Sequence, residues 1–328
     1  MTEITGEMST SAAARPQDAL RLWPLFLVIG ALIYGALYLW AEGLVHEHGD
    51  RNRFFAIATT PPTTVDTVIL GASHAMPLGY ADFNSRLETA SGSSVMNLSI
   101  EGAGVLPNRL VLDYFFRRHQ ARQVVFFVDS FAFYSRQWNE DRLDSAMLAR
   151  APFDVDLAAT LASYPWAQGQ LLPYLSGFTK INNEDRFAPD RSDAELNKFT
   201  KTYRPVPQID RQRVAYLFPP EISQTALDRY LGELESLADL VEAHGATLLL
   251  VKPPTPPRYR DALPEEAAFD ARLAEIIERR GLTYRDFSTV LEGDENYYDT
   301  DHLNSTGVEA FIQAGFADFL KTNSIQSE

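Results

Sequence analysis

Two short stretches carry residues that could do chemistry together. The first is Val68-Ile69-Leu70-Gly71-Ala72-Ser73, an apolar run that stops at a glycine and delivers a serine two positions later. The second is Asp299-Thr300-Asp301-His302, near the other end of the chain. A serine hydroxyl is a poor nucleophile at its own pKa. It needs a base, and the base needs an acid group to orient it. The second stretch supplies both residue types. Taken singly, each stretch has a plain reading: Gly-x-Ser after a strand is a turn, and Asp-x-x-His before a helix is a capped loop. Their order and the elements that carry them decide whether they act as a pair.

Those elements alternate along the chain. Val65 to Leu70 reads as an apolar strand, Ser94 to Leu98 as a second, Gln123 to Asp129 as a third, Ala246 to Lys252 as a fourth, and Thr283 to Ser288 as a short fifth. The unbroken apolar run of the third suits a strand buried on both faces. Between them lie helical patterns: Leu106, Leu110, Tyr114 and Phe115; Leu227, Tyr230, Leu231, Leu234 and Leu237; Phe269, Leu273, Ile276 and Ile277, with Gly281 as a C-terminal stop. Val308, Phe311, Ile312, Phe316 and Phe319 mark the last helix. This alternation predicts a three-layer αβα domain on a five-stranded, mainly parallel sheet in flavodoxin-like order. In such sheets ligands bind beyond the carboxyl ends of the strands. Ser73 sits just past the first strand, and His302 lies in the loop between the fifth strand and the last helix. Both loops open at the same end, so the pair can meet across the length of the chain.

Residues 130–222 break the rhythm, being too long for an ordinary connection. They are expected to form an inserted, partly helical subdomain over the carboxyl end of the sheet, with Trp138 and Trp166 shaping an acceptor groove. The ends of the chain read differently. Residues 1–21 are polar and small and read as a disordered tail. Leu22 to Ala41 has no charged residue and carries Trp23, Tyr34, Tyr38 and Trp40. That is the length and composition of a membrane-spanning helix with interfacial aromatics. Residues 42–64 follow as a linker and 65–322 as the α/β domain. Arg15 and Arg21 precede the helix and Arg51 and Arg53 follow it, so the positive-inside rule is nearly silent. A short tail before a first helix and a large domain after it favours a cytoplasmic tail, a single pass through the inner membrane, and a domain in the periplasm or outside the cell.

The composition excludes several classes. The chain of 328 residues has a formal net charge of -15. That argues against nucleic-acid binding, which needs clustered lysine and arginine. There are no cysteines, hence no disulfides, thiolate metal sites or cysteine nucleophiles. A metal site on Asp299, Asp301 and His302 is a poor prospect, because three ligands within four residues rarely surround one ion. No metal and no cofactor are expected.

The two motifs together resemble those of the SGNH/GDSL hydrolase superfamily. Its first block is a strand followed by Gly-Asp-Ser or a variant, which Gly71-Ala72-Ser73 matches, and its last is Asp-x-x-His, which Asp299 and His302 match. The sequence around His302, His-Leu-Asn-Ser-Thr-Gly, looks like the tail of membrane-anchored members that resemble partners of polysaccharide acyl transfer. The resemblance covers about 65–130 and 240–320 and omits the insertion. It implies Ser73 as nucleophile, His302 as base and Asp299 as orienting acid, with Asp301 the rival for the last role. Ser73 and Gly102 would supply the oxyanion hole, Gly102 lying in Asn97-Leu98-Ser99-Ile100-Glu101-Gly102 after the second strand. The third block of the family carries Gly-x-Asn-Asp, and here the asparagine is missing. Either Asp129 or Ser130 takes its place, or the donor is lost. His74 and Ser130 are expected at the substrate. The implied activity is an esterase or O-acyltransferase acting on an O-acylated envelope glycan or other ester. Its further partners would be membrane lipid and a membrane-embedded acyltransferase. The alternative, from another class, is a non-catalytic scaffold or glycan-binding component.

Overall fold

The computed structural model describes residues 16–49, 52–143, 145–183 and 196–325. Residues 1–15, the larger part of the expected tail, lie outside this set. The sheet strands are β1 (Thr64–Leu70), β2 (Val95–Asn97), β3 (Gln120–Phe127), β4 (Thr247–Lys252) and β5 (Thr283–Asp286). They run in the order β2-β1-β3-β4-β5, and every neighbouring pair is parallel. This is the predicted order, with the crevice between β1 and β3 at the point where the winding reverses.

Side-chain alternation along the strands divides the core in two. Val68, Leu70, Val124, Phe126, Leu248 and Leu250 face one hydrophobic cluster. Ile69, Val125, Phe127, Leu249 and Val251 face the other. A strand exposes successive residues to opposite faces, so an unbroken apolar run feeds both layers at once. The helices are α1 (Pro16–His48), α2 (Arg53–Thr59), α3 (Phe83–Ser91) and α4 (Val105–Phe116). The insertion contributes α5 (Val155–Ser163), α6 (Leu171–Leu175), α7 (Phe178–Ile181) and α8 (Pro207–Leu217). After it come α9 (Gln224–Ala243), α10 (Glu266–Arg280), α11 (Ser305–Phe311) and α12 (Ala317–Ile325). Helices α4, α9 and α10 cover the first cluster, and α3, α11 and α12 the second. Helix α10 ends at Gly281 in the left-handed conformation, φ 62°, the stop that glycine permits.

Two boundaries differ from expectation. Helix α1 starts at Pro16, inside the expected tail, because proline suits a first helical turn and Asp18-Ala19-Leu20-Arg21 continues the helix without a breaker. The expected linker is also largely helical. Helix α1 runs on to His48, and α2 follows, capped by Asn52, whose side chain accepts from Phe54 N (2.9 Å) and Phe55 N (3.1 Å). Among the described residues one span, Leu22–His48, is long and apolar enough to cross a membrane, and the flanks of α1 from Leu22 to Trp40 are largely exposed.

The described residues of the insertion are divided between two places. Its first turn and its last helix gather at the carboxyl end of the sheet. There Trp138 is buried against Phe131 (5.7 Å) and Tyr216 (5.4 Å) and donates Nε1–H to Leu217 O (2.8 Å). Residues 152–181 lie elsewhere. Asp154 pairs with Arg118 at 2.6 Å, just ahead of β3 and therefore at the amino end of the sheet. Trp166 packs against Tyr164 (6.0 Å), whose ring carries the Arg109 guanidinium of α4 at 5.1 Å. It does not join Trp138, and the expectation of one continuous cover over the carboxyl end is corrected accordingly. The physical reason is that α5–α7 carry the apolar residues that pack on α4 and α1.

Candidate active site

The turn after β1 is built around a glycine that nothing else could replace. Gly71 has φ 146°, and a Cβ there would stand 2.7 Å from Phe127 Cβ on the adjacent strand. Its N–H donates to Asn108 Oδ1 (3.0 Å), and its carbonyl accepts from Ile100 N (3.0 Å). The chain thus leaves the sheet tied to α4 and to the segment after β2, with Ala72 buried and Ser73 half-buried. Gly102, in that second segment, is left-handed (φ 63°) and a Cβ there would stand 2.8 Å from the Trp138 ring. Among the described residues no partner is recorded for the backbone N–H of Ser73 or of Gly102.

Across the carboxyl end, the loop before α11 is shaped by Asp299. Its Oδ1 accepts from His302 N (2.8 Å) and Asp301 N (3.1 Å), a local turn that orients the imidazole behind it. Asn304 then caps α11 by accepting from Gly307 N (2.9 Å). His302 Nε2 lies 2.7 Å from Ser73 Oγ. His302 Nδ1 lies 2.9 Å from each oxygen of Asp299. Asp301, the rival carboxylate, stands 3.5 Å from the same nitrogen. Of the two, Asp299 holds the bonding geometry. The Tyr298 ring stacks on His302 at 5.6 Å and 13°. Burial pushes Asp299 up, but the adjacent His302 outweighs it and holds its carboxyl below the usual range.

Asp301 is committed elsewhere. It is fully buried. It takes Arg213 Nε (2.9 Å) and His74 Nε2 (3.2 Å), and it accepts from the Thr300 hydroxyl. Burial acts to raise its pKa, yet His302, Arg213 and His74 hold it well below the carboxylate range. His74 is the surprise of the site. Both ring nitrogens are engaged: Nδ1–H donates to Asp129 Oδ1 (2.6 Å) and Nε2–H to Asp301. Burial would push the imidazole down, but Asp129 and Asp301 overturn this and lift it from 6.5 to about 10. His74 is therefore a buried imidazolium between two carboxylates, 5.0 Å from His302 ring to ring.

His74 and Ser130, both expected at the substrate, accordingly have other partners. Ser130 is buried and donates to Glu266, which also binds Lys252 Nζ (2.7 Å). Of the two candidates for the missing third-block donor, Asp129 lies just past β3 and points to His74. It acts there as an acceptor, and its Oδ2 is buried with no partner among the described residues. Sequence reasoning missed Arg213 and Arg258. Arg213 on α8 reaches Asp301 and lies 3.5 Å from His302 Nε2. Arg258 ties the loop down, donating to Thr300 O (2.7 Å) and pairing with Asp294 (2.8 Å) and Asp210 (3.3 Å). The one available signal was Arg258 in the Pro-rich turn after β4, a position that must face the same end. Arg213 sits in the aperiodic insertion and gave none.

Among the described residues one group of side chains has metal-like spacing: ligand atoms of His74, Asp301 and His302 lie within 4.8 Å of one another. The donor set does not fit an ion. His74 is held protonated at both nitrogens, and Asp301 already faces a guanidinium. Ligating histidine must be neutral at the bound nitrogen.

No protein-family model matches the chain, and no curated protein matches it. Among solved structures the chain is similar to a candidate acylhydrolase from Bacteroides fragilis. The match has 14% identity and a TM-score of 0.40, and it covers 82% of this chain and 94% of that one. A likeness this distant carries no argument about the reaction.

Proposed function

We propose that this chain is a membrane-anchored serine esterase or O-acyltransferase of SGNH type, with Ser73 as nucleophile, His302 as base and Asp299 as orienting acid. The observation that carries the reading is the chain of contacts Ser73 Oγ to His302 Nε2 (2.7 Å) and His302 Nδ1 to Asp299 (2.9 Å). In the reaction, His302 Nε2 takes the Ser73 proton as Oγ attacks the ester carbonyl. The oxyanion is received by the N–H groups of Ser73 and Gly102. The leaving alcohol takes the proton from His302, and an acyl-Ser73 intermediate remains. Water or an acceptor hydroxyl then attacks it, again with His302 as base, and Ser73 is restored.

The charge arrangement supports this. Asp129, Asp299 and Asp301 face the two standing cations His74 and Arg213. When His302 accepts the Ser73 proton, its new positive charge falls beside Asp299 and Asp301, while the matching negative charge appears on the substrate oxygen. Such fixed charges need no reorganisation during reaction. Tyr216, 57% exposed and beside Arg213, offers a flat apolar face suited to a sugar ring. The acceptor we favour is an O-acylated envelope glycan, on the family resemblance. Helix α1 is read as the anchor, with the α/β domain outside the cytoplasm.

One observation favours the non-catalytic scaffold. Asp129, an acceptor, stands where the family carries a donor, and a lost oxyanion donor costs on the order of 10²–10³ in rate. The two readings part on one experiment: the full chain in detergent is mixed with an O-acetylated polysaccharide, and released or transferred acetyl is followed by NMR. Turnover that vanishes in Ser73→Ala supports the enzyme. Identical traces for wild type and Ser73→Ala support the scaffold.

A further inference from the structure

The second part of the insertion is fastened to helix α1 inside its apolar run. Tyr34 Oη donates to Ser176 O (3.0 Å). Gly177, left-handed at φ 73°, lets the backbone approach the Tyr38 ring so closely that a Cβ there would overlap it. Lys180, buried, pairs with Glu42 and lies over the Tyr38 and Tyr174 rings at 5.8 and 5.2 Å. Glu42 also accepts from Phe153 N (2.5 Å). Tyr34 and Tyr38 precede the end of the uncharged stretch at Ala41, so at 1.5 Å per residue the junction lies roughly 5–10 Å inside it.

The outer face of this junction is apolar. Leu172 (74% exposed), Leu175 (42%), Phe178 (56%) and Phe153 (46%) present large side chains to the surroundings. From Leu171 to Ile181 the only Lys, Arg, Asp, Glu or His is Lys180, and it is turned inward to Glu42. A short helical pair with an uncharged apolar face, abreast of the last turns of a membrane helix, has the depth and chemistry of an interfacial element. A cluster of such side chains on a soluble surface would be a liability.

We infer that α6 and α7 lie in the bilayer interface, with Leu172, Leu175 and Phe178 among the lipid acyl chains, so that the domain is seated on the membrane and not tethered loosely above it. This rests on α1 being the anchor. Because the chain has no cysteine, single cysteines report cleanly. Leu172→Cys, Leu175→Cys, Phe178→Cys, Leu32→Cys in α1 and Val290→Cys are each made in the full chain and labelled with an NBD fluorophore. The chains are then reconstituted into vesicles of phosphatidylethanolamine and phosphatidylglycerol. A cooperative melt confirms the fold of each variant. The expected result is strong quenching by doxyl-labelled lipid and protection from iodide at 172, 175 and 178, as at 32, with the reverse at 290. If 32 reads as lipid while 172, 175 and 178 match 290, the seated interface is overturned and the anchor stands. If 32 itself reads as water, the anchor reading fails and the inference with it.

Discussion

The described residues of the insertion meet the rest of the molecule at two contrasting places, and the two are built on different physics. At the carboxyl end of the sheet, charged groups converge. Arg213 from α8 enters a cluster with Asp301, His74, Asp129, His302 and Asp299 in which nearly every polar atom has a partner. Beside α1, one ion pair, Glu42 with Lys180, sits among Tyr38, Tyr174 and a field of exposed aliphatic and aromatic side chains. The first arrangement holds side chains at fixed angles, as chemistry requires. The second covers area. The comparison teaches that a long insertion need not be a lid. Here one half reaches the cluster around His302 and the other half packs on helix α1, so substitutions in the two halves are expected to fail in separable ways.

The largest effects belong to the site end. Ser73→Ala and His302→Ala should each lower kcat for a small acetyl ester by on the order of 10⁶, and the double variant should be no worse than either, since triad members act as a unit. Steady-state kinetics of the three proteins check this. Additive losses would break the triad. Next come the two carboxylates beside His302. Asp299→Asn should cost on the order of 10⁴ in kcat while the fold holds, because it leaves the imidazole in the wrong tautomer. Asp301→Asn should instead destabilise, by about 3 kcal/mol, because it leaves buried His74 and Arg213 short of a partner. Urea unfolding set beside kinetics separates the two, and equal behaviour would erase the distinction drawn between them.

His74 gives the pH test. Its pKa is lifted from 6.5 to about 10 on folding, so it holds its proton more tightly in the folded protein. The stabilisation is full below about pH 6.5 and is lost as pH rises through about 10. At the acid side Asp301, held well below 3.8, contributes stability above that value and loses it as pH falls further. Thermal melts should therefore show a loss of stability that sets in near pH 6.5 and is complete near pH 10, which His74→Gln lacks, on a baseline about 3–4 kcal/mol lower. A wild-type profile that stays flat from pH 6.5 to 10 would contradict the charged pair. The smallest effect is at the α1 end. Lys180→Met should cost about 1–2 kcal/mol, from the partly buried Glu42 left alone, and should leave acetyl-ester kcat/KM unchanged. A loss of turnover there would show that the two halves are coupled after all.

What could be read from the sequence follows the same division. Strands β1, β3 and β4 declare themselves because burial on both faces demands unbroken apolar runs. Ser73, Asp299 and His302 were legible because each belongs to a short local motif at the end of a legible element. The structure brings these three into contact, Asp299 and not Asp301 facing His302 Nδ1 at 2.9 Å. The His74 network was not legible. Its partners lie 55 and 227 positions away, and Arg213 meets Asp301 across 88, from a segment with no periodicity to place it. A histidine next to a nucleophile looks like a substrate ligand until the two carboxylates around it are seen. Trp166 misled for a related reason: an aromatic residue in an insertion signals burial but not against which element, and its ring meets Tyr164 rather than the Trp138 group.

The central claim is that Ser73 is an activated nucleophile, and covalent capture tests it most directly. The full chain in detergent is treated with a fluorophosphonate probe and its peptides are mapped by mass spectrometry. One adduct is expected, on Ser73, absent in Ser73→Ala and formed far more slowly in His302→Ala, since the base that takes the proton from Oγ is gone. A folded wild-type protein that carries no adduct at Ser73, or that labels equally fast without His302, would contradict the account.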